Sequence, residues 1–347
     1  MTNHSLPVSG CEVGHSGKTV IASIYILMSL FGSTSNVLLI YLVVSFKKLR
    51  TTSNAFIVNG SVADLLVCAI WIPHEVMLIS TGSAVAPEYH ALSEALLFLG
   101  ITVSLLSHSL IAANRYVLIT KAPAAYASLY QKRNAESMII ASWLLALGCL
   151  LPWLVSSSQA QEGCSDLQVG KAFFGRKTSV MSNPNEDVIL ALTIFAQSAI
   201  VLYCYFKIFR RVQISMKRVS ILNFQIVKNL PYSFPRKDRR LGFYVLTVCG
   251  VFLITTQPLL WVLVVGRLKP VPFAHRSTSW MLFCSLFVLN PFLYTWKNEE
   301  FRRSFKSVLR GELCRGSAVG LAPVTVNTVA HILPRQNSRR AFIGHME

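Results

Sequence analysis

The stretch YHALSEALLFLGITVSLLSHSLIAANRYVLIT, Tyr89–Thr120, decides the fold. Between its ends only Glu94 and Arg115 carry a full charge, and an apolar run of this length crosses about 30 Å of hydrocarbon as a helix. Further runs of the same kind flank it at Thr19–Phe46, Ser53–Ser80, Ala135–Val155, Asp187–Phe209, Leu241–Gly266 and Phe273–Trp296. The chain therefore reads as an all-α membrane protein, a seven-transmembrane helix bundle. Composition agrees: 53% of the 347 residues are hydrophobic and 14% charged, which excludes a disordered chain or a single soluble core.

Lys+Arg 33 against Asp+Glu 15 leaves a net charge of +18. In a soluble protein that balance points to nucleic acid, but here the cations follow the first, third and fifth spans. Lys47, Lys48 and Arg50, then Lys121, Lys132 and Arg133, then a run from Arg210 to Arg240 share one face with the basic tail. The positive-inside rule puts that face in the cytoplasm and the N-terminus outside, as expected of a multi-pass plasma-membrane protein, and no nucleic-acid partner is expected. Two readings of the basic loops stand together: attraction to anionic membrane lipids, and a dock for an intracellular partner.

The resulting division is an extracellular segment 1–18, a membrane domain 19–296, an amphipathic segment 297–310 and a disordered cytoplasmic tail 311–347. Met1–Gly17 is polar, so the first span is expected to act as the insertion signal. Asn3-His4-Ser5 is a glycosylation sequon on the outer side. Cys11 and Cys164 both face the oxidising exterior, where they either pair or stay free. Cys314, just past the amphipathic segment, suits palmitoylation. In that segment Phe301, Phe305, Val308 and Leu309 repeat at the helical period with Arg and Lys opposite, as in an eighth helix lying in the membrane interface.

Ionisable groups inside spans are costly, so each is a candidate for function. Asp64 is the deepest, with Asn36, Ser104 and Asn290 at similar depth. Asp64 with Ser104 either holds a small hard cation, Na⁺ acting as an allosteric ion, or Asp64 is a protonated acid bonded to the asparagines. No other cofactor is expected. Arg115, in Asn114-Arg115-Tyr116, needs water or an acidic partner; Asp238 at the start of the sixth span is the candidate, and snorkelling to the headgroups is the alternative. Pro258 and Pro291 each remove a backbone donor and kink their helices.

Together these features resemble the class A, rhodopsin-like G-protein-coupled receptors over about residues 19–310. The resemblance rests on Asn36, Asp64, Asn114-Arg115-Tyr116, Trp143, Tyr205, Phe252 with Pro258, Asn290-Pro291-Phe292-Leu293-Tyr294 and the eighth helix with Lys297 at its start. Closer runs at Thr51–Gly60, Thr102–His108, Lys217–Phe224, Thr256–Leu259 and Thr295–Ser304 resemble one orphan member of the family. It implies a heterotrimeric G protein as partner, inhibitory Gi/o, with Arg115, Tyr205, Asn290, Pro291 and Tyr294 in the coupling switch and Phe252, Thr256 and Pro258 transmitting motion to it. Departures matter as much. Asn114 replaces the usual acid, so basal signalling is expected to be raised. Thr256 replaces the usual tryptophan, Gln197 a proline, and His90 the cysteine that staples the third span.

The outer half of the bundle carries Glu75, His90, Glu94, Leu97, Gln257, Trp280 and Phe283. An apolar cavity with a few polar groups is the usual form of a small-molecule site, so an unknown small or lipid-like ligand is expected there. The competing reading has the two acids solvating a watery mouth and the aromatics packing. A transporter or channel is the alternative function, but no inverted repeat supports it. No nucleophile and base at a recognisable spacing suggest an enzyme.

Overall fold

A computed structural model describes residues 15–81, 87–162, 184–226, 236–295 and 298–310. Its helices are α1 (His15–Ser45), α2 (Thr52–Thr81), α3 (Pro87–Thr120), the short α4 (Pro123–Leu129), α5 (Lys132–Glu162), α6 (Pro184–Ile226), α7 (Arg236–Val265), α8 (Phe273–Thr295) and α9 (Glu299–Leu309). Seven of them are long and apolar enough to cross a membrane. The protein is thus an all-helical seven-span bundle, and the described residues contain no strand. Residues 1–306 form one compact unit and 307–347 a second, of which only the end of α9 and Arg310 are described.

Burial ranks the spans. In α3, 72% of the apolar window is buried, against 28% in α1 and 17% in α5, so α3 is the central post and the other two face lipid. It packs against α2, α5 and α6, while α1 and α8 close the ring. Close approach of α3 to α2 is possible because residue 100 is glycine: a Cβ there would lie 3.0 Å from the Ala63 carbonyl oxygen and from Val67. Polar ties fix the rotation of the central helices. Asn59 on α2 donates to Ser107 on α3 (2.9 Å) and accepts from the Trp143 indole on α5 (2.8 Å).

Helix ends follow from capping chemistry. Arg50 turns back to the Val44 carbonyl, satisfying an orphan acceptor at the end of α1. Thr51 accepts from the Asn54 amide and starts α2. Asn298 does the same for Glu300 in α9 (3.0 Å). The fifth span continues without a break as far as Ile226.

Within α2, Leu66–Trp71 is π-helical, and Pro73 just beyond it has no N–H for the Ala69 carbonyl four residues earlier, inside this stretch. The insertion turns everything beyond it by about 100° relative to an unbroken helix. Trp71, His74 and Glu75, all buried, owe their facing to this turn.

Candidate functional site

The C-terminal end of α3 carries three adjacent polar residues that point three ways. Arg115 lies over the Tyr244 ring of α7, 4.8 Å from its centre, and 5.6 Å from that of Tyr294 on α8. Tyr205 of α6 is also buried. A guanidinium over a phenol face is held by the ring quadrupole, worth about 0.5–2 kcal/mol as desolvation proceeds. Asn114 faces away from this cage. Its Oδ1 accepts from Ser53 (2.7 Å), its Nδ2 donates to the Tyr126 hydroxyl (3.3 Å), and Ser53 and Tyr126 close the triangle at 3.3 Å. Tyr116 packs edge-on against Tyr203 and so stands outside the cage.

Through Tyr126 the asparagine anchors α4. The Tyr126 ring stacks on Tyr130 at 5.1 Å, and Tyr130 meets Phe56 edge-on at 6.0 Å. Burial pushes the Tyr130 phenol up to about 12, so Tyr130 stays uncharged at any physiological pH.

At mid-bundle, Asp64 is fully buried and both its oxygens are engaged: Oδ1 accepts from Ser104 (2.6 Å) and Oδ2 from Asn290 Nδ2 (2.8 Å). Asn36, expected beside Asp64, donates instead to the carbonyls of Gly32 (2.9 Å) and Phe287 (3.0 Å). The second bond has a cause. Pro291 has no N–H, so the Phe287 carbonyl four residues earlier loses its helical donor, and Asn36 supplies one. His108, from α3, bonds the Ser104 carbonyl and Asn290 Oδ1, both at 2.8 Å, and its ring lies 5.4 Å from Phe252 and 5.8 Å from Tyr294. Each Asp64 oxygen thus accepts one hydrogen bond within the chain, and its remaining lone pairs are not used by them. Among the described residues no three His, Cys, Asp or Glu side chains gather as a metal-ligand set.

Above this layer, Thr256 is buried and bonds the Phe252 carbonyl (2.7 Å), so it stiffens its own helix. Gln257 donates to Ser198 (3.0 Å), and Ser109 donates to Gln197 at the position where the family usually has proline. These bonds tie α7 and α3 to α6.

Near the outer end, Glu94 accepts from the Trp71 indole (3.1 Å), Trp71 meets Trp280 at 5.7 Å, Trp280 meets Phe283 at 5.8 Å, and Leu97 is buried. His74 stacks on His90 with ring centres 5.2 Å apart, next to the fully buried Glu75. The structure therefore gathers Glu94, Trp280 and Phe283 in one aromatic chain, His90 against His74, and places Gln257 on the α6 side. Asp238 belongs to α7, but its side chain lies outside the described residues, as do Lys297, Asn3, Cys11, Cys164 and Cys314.

Sequence reasoning passed over His108, Tyr244, Tyr126 and Trp71. A histidine inside an apolar span was a signal in its own right. For the aromatic residues there was none, since aromatic side chains in spans are ordinary.

A sequence profile of the 7 transmembrane receptor (rhodopsin family) matches residues 35–294, from the residue before Asn36 to Tyr294. Melatonin receptor type 1A of Phodopus sungorus is 26% identical over 303 residues, 84% of this chain and 80% of that receptor. Melatonin receptor type 1B-B of Danio rerio is 26% identical over 329 residues, 88% of this chain and 90% of that receptor. With Arg115 at the foot of the central helix and the Asn290-Pro291 kink packed against it through His108, the chain belongs to the rhodopsin family of seven-transmembrane receptors, non-enzymatic multi-pass proteins that take small-molecule ligands and act through heterotrimeric G proteins.

Proposed function

We propose that this chain is an orphan receptor of the plasma membrane, its N-terminus outside, that activates inhibitory Gi/o proteins, lowers cAMP and signals without ligand above the usual resting level. The observation that carries the reading is the setting of Arg115. It is held by the faces of Tyr244 and Tyr294, and Asn114 is committed to Ser53 and Tyr126. An aromatic cage restrains a guanidinium less than a desolvated carboxylate does, because it supplies a quadrupole and no net charge. Release of the arginine toward a G-protein helix is correspondingly cheaper. Asp238 is the remaining candidate for an ionic restraint.

The Gi/o assignment follows from the sequence runs Thr51–Gly60, Thr102–His108, Lys217–Phe224, Thr256–Leu259 and Thr295–Ser304, which resemble the striatal orphan receptor, G-protein-coupled receptor 88. The ligand sits in the outer half, among Glu94, Trp280, Phe283 and Glu75, and is apolar with a cationic or amide group. Relatives named as melatonin receptors support a small apolar ligand without identifying it. Glycosylation at Asn3, a Cys11–Cys164 bridge and palmitoylation at Cys314 belong to the same reading.

Nucleotide exchange by purified receptor on separate Gi, Gs and Gq heterotrimers, without ligand, is the test. Exchange on Gi alone, lost on Arg115→Ala at equal receptor level, is the expected result. Intact exchange in Arg115→Ala, or exchange only on Gs or Gq, overturns it.

A further inference from the structure

His74 lies on α2 and His90 in the first turn of α3, at the end of the bundle remote from Arg115. Their rings come from different helices and face each other, with centres 5.2 Å apart and planes 28° from parallel. His74 is 2% exposed, and among the described residues neither of its ring nitrogens has a hydrogen-bond partner. A neutral imidazole carries one N–H and one lone pair, and leaving both unmet in a protein interior is costly. Packing alone therefore gives no reason for a histidine here, since an apolar ring would fill the space without that cost. The pair is not sealed from water. His90 is half-buried, and Tyr89, whose ring meets that of His74 edge-on at 5.2 Å, is 42% exposed.

We propose that His74 and His90 together hold a zinc ion between α2 and α3. Zinc binds an imidazole nitrogen at about 2.05 Å, and the nitrogen lies about 1.15 Å from its ring centre. Two such arms opened by the tetrahedral angle of about 109° put the ring centres about 5.2 Å apart. That is the separation of the His74 and His90 rings. The angle between the planes is not fixed by this geometry, because each ring can turn about its zinc–nitrogen bond. Imidazole suits a borderline-soft ion such as zinc, whereas hard Mg²⁺ and Ca²⁺ take oxygen. The described residues add no third His, Cys, Asp or Glu, so water or a solute anion completes the tetrahedron. His90 stands one turn from Glu94, and His74 about one turn from Trp71, so the ion braces the same two helices that the Trp71–Glu94 bond joins.

The test uses the full-length receptor, purified without a polyhistidine tag and stripped with EDTA. Thermal midpoint is followed against ZnCl₂, with MgCl₂ at equal ionic strength as the control. This measurement needs neither G protein nor organic ligand, so it stands apart from the Gi/o reading. Zinc is expected to raise the midpoint saturably, by about 2–5 °C at tenfold excess over its dissociation constant, and magnesium to leave it unchanged. His74→Phe and His90→Phe each keep an aromatic ring in place and should each abolish the rise, while His275→Gln should retain it. Should a phenylalanine variant fail to accumulate, His74→Gln or His90→Gln takes its place. The absence of a saturable rise in wild type overturns the proposal. So does a rise that survives in a folded His74 or His90 variant, that His275→Gln abolishes, or that magnesium reproduces.

Discussion

For Arg115, the energetics of the resting state reduce to what its guanidinium loses when α7 moves. The Tyr244 face is the nearer of the two rings, and losing it costs about 0.5–2 kcal/mol. Tyr244→Leu is therefore expected to raise ligand-free nucleotide exchange by about two- to thirtyfold at matched surface level, with the ligand-stimulated maximum retained. Asp238→Ala should add to that rise if the carboxylate is a second restraint, and the double variant measured beside the two single ones reports whether the two restraints act independently. An unchanged basal rate in Tyr244→Leu removes the cage from the mechanism. Asn36 has a different task, satisfying a carbonyl that Pro291 orphaned. Asn36→Leu leaves that acceptor unpaired, at about 1–3 kcal/mol, and should lower the thermal midpoint of the purified receptor by several degrees without abolishing insertion.

Among the elements, α4 shows how little local sequence decides. Its seven residues are too few for a stable isolated helix, and none of them is buried. It persists because Tyr126 bonds Ser53 and Asn114 while stacking on Tyr130. Tyr126→Phe keeps the stack and removes both hydrogen bonds, costing about 1–2 kcal/mol of local stability. Amide exchange across residues 123–129 should then speed up about five- to thirtyfold, while exchange in the middle of α3 stays unchanged. The contact of α1 with α2 depends on Gly32 in the same way, since a Cβ there would fall 2.5 Å from the Cys68 sulfur. Gly32→Ala should destabilise the receptor, and Cys68→Ala should recover part of the loss in the double variant, a coupling that thermal midpoints of the four proteins measure.

At the scale of the whole molecule, the proposed orientation rests on the concentration of cations on one face and their scarcity on the other. A short epitope tag on the N-terminus is expected to be read on intact cells, and one on the C-terminus only after permeabilisation; the reverse labelling would sink the proposed orientation. Where the spans lie was legible in the chain because hydrocarbon thickness demands about 20 apolar residues and the backbone satisfies itself within each helix. The observed α3 accordingly covers all of the expected Tyr89–Thr120 span. The site was legible only as an inventory. Asp64, Ser104, Asn290 and Arg115 stood out as costly residues in lipid, whereas Tyr244 left no mark that local pattern could show and the π-helical turn at Leu66–Trp71 is marked only by Pro73 just beyond it.

By itself, then, the amino-acid sequence determined how many helices cross, which way the charges lie and which polar groups must be sheltered, because these are questions of transfer from water to hydrocarbon that each segment answers alone. Which of those groups meet was decided by tertiary structure. Asp64 and Asn290 are 226 residues apart, and His108 and Asn290 are 182 apart. Their pairing depends on helix rotation, on the close approach that Gly100 permits and on the carbonyl that Pro291 sets free. A buried polar atom takes whatever partner the neighbouring helix presents within about 3 Å, and no reading along one helix contains that distance.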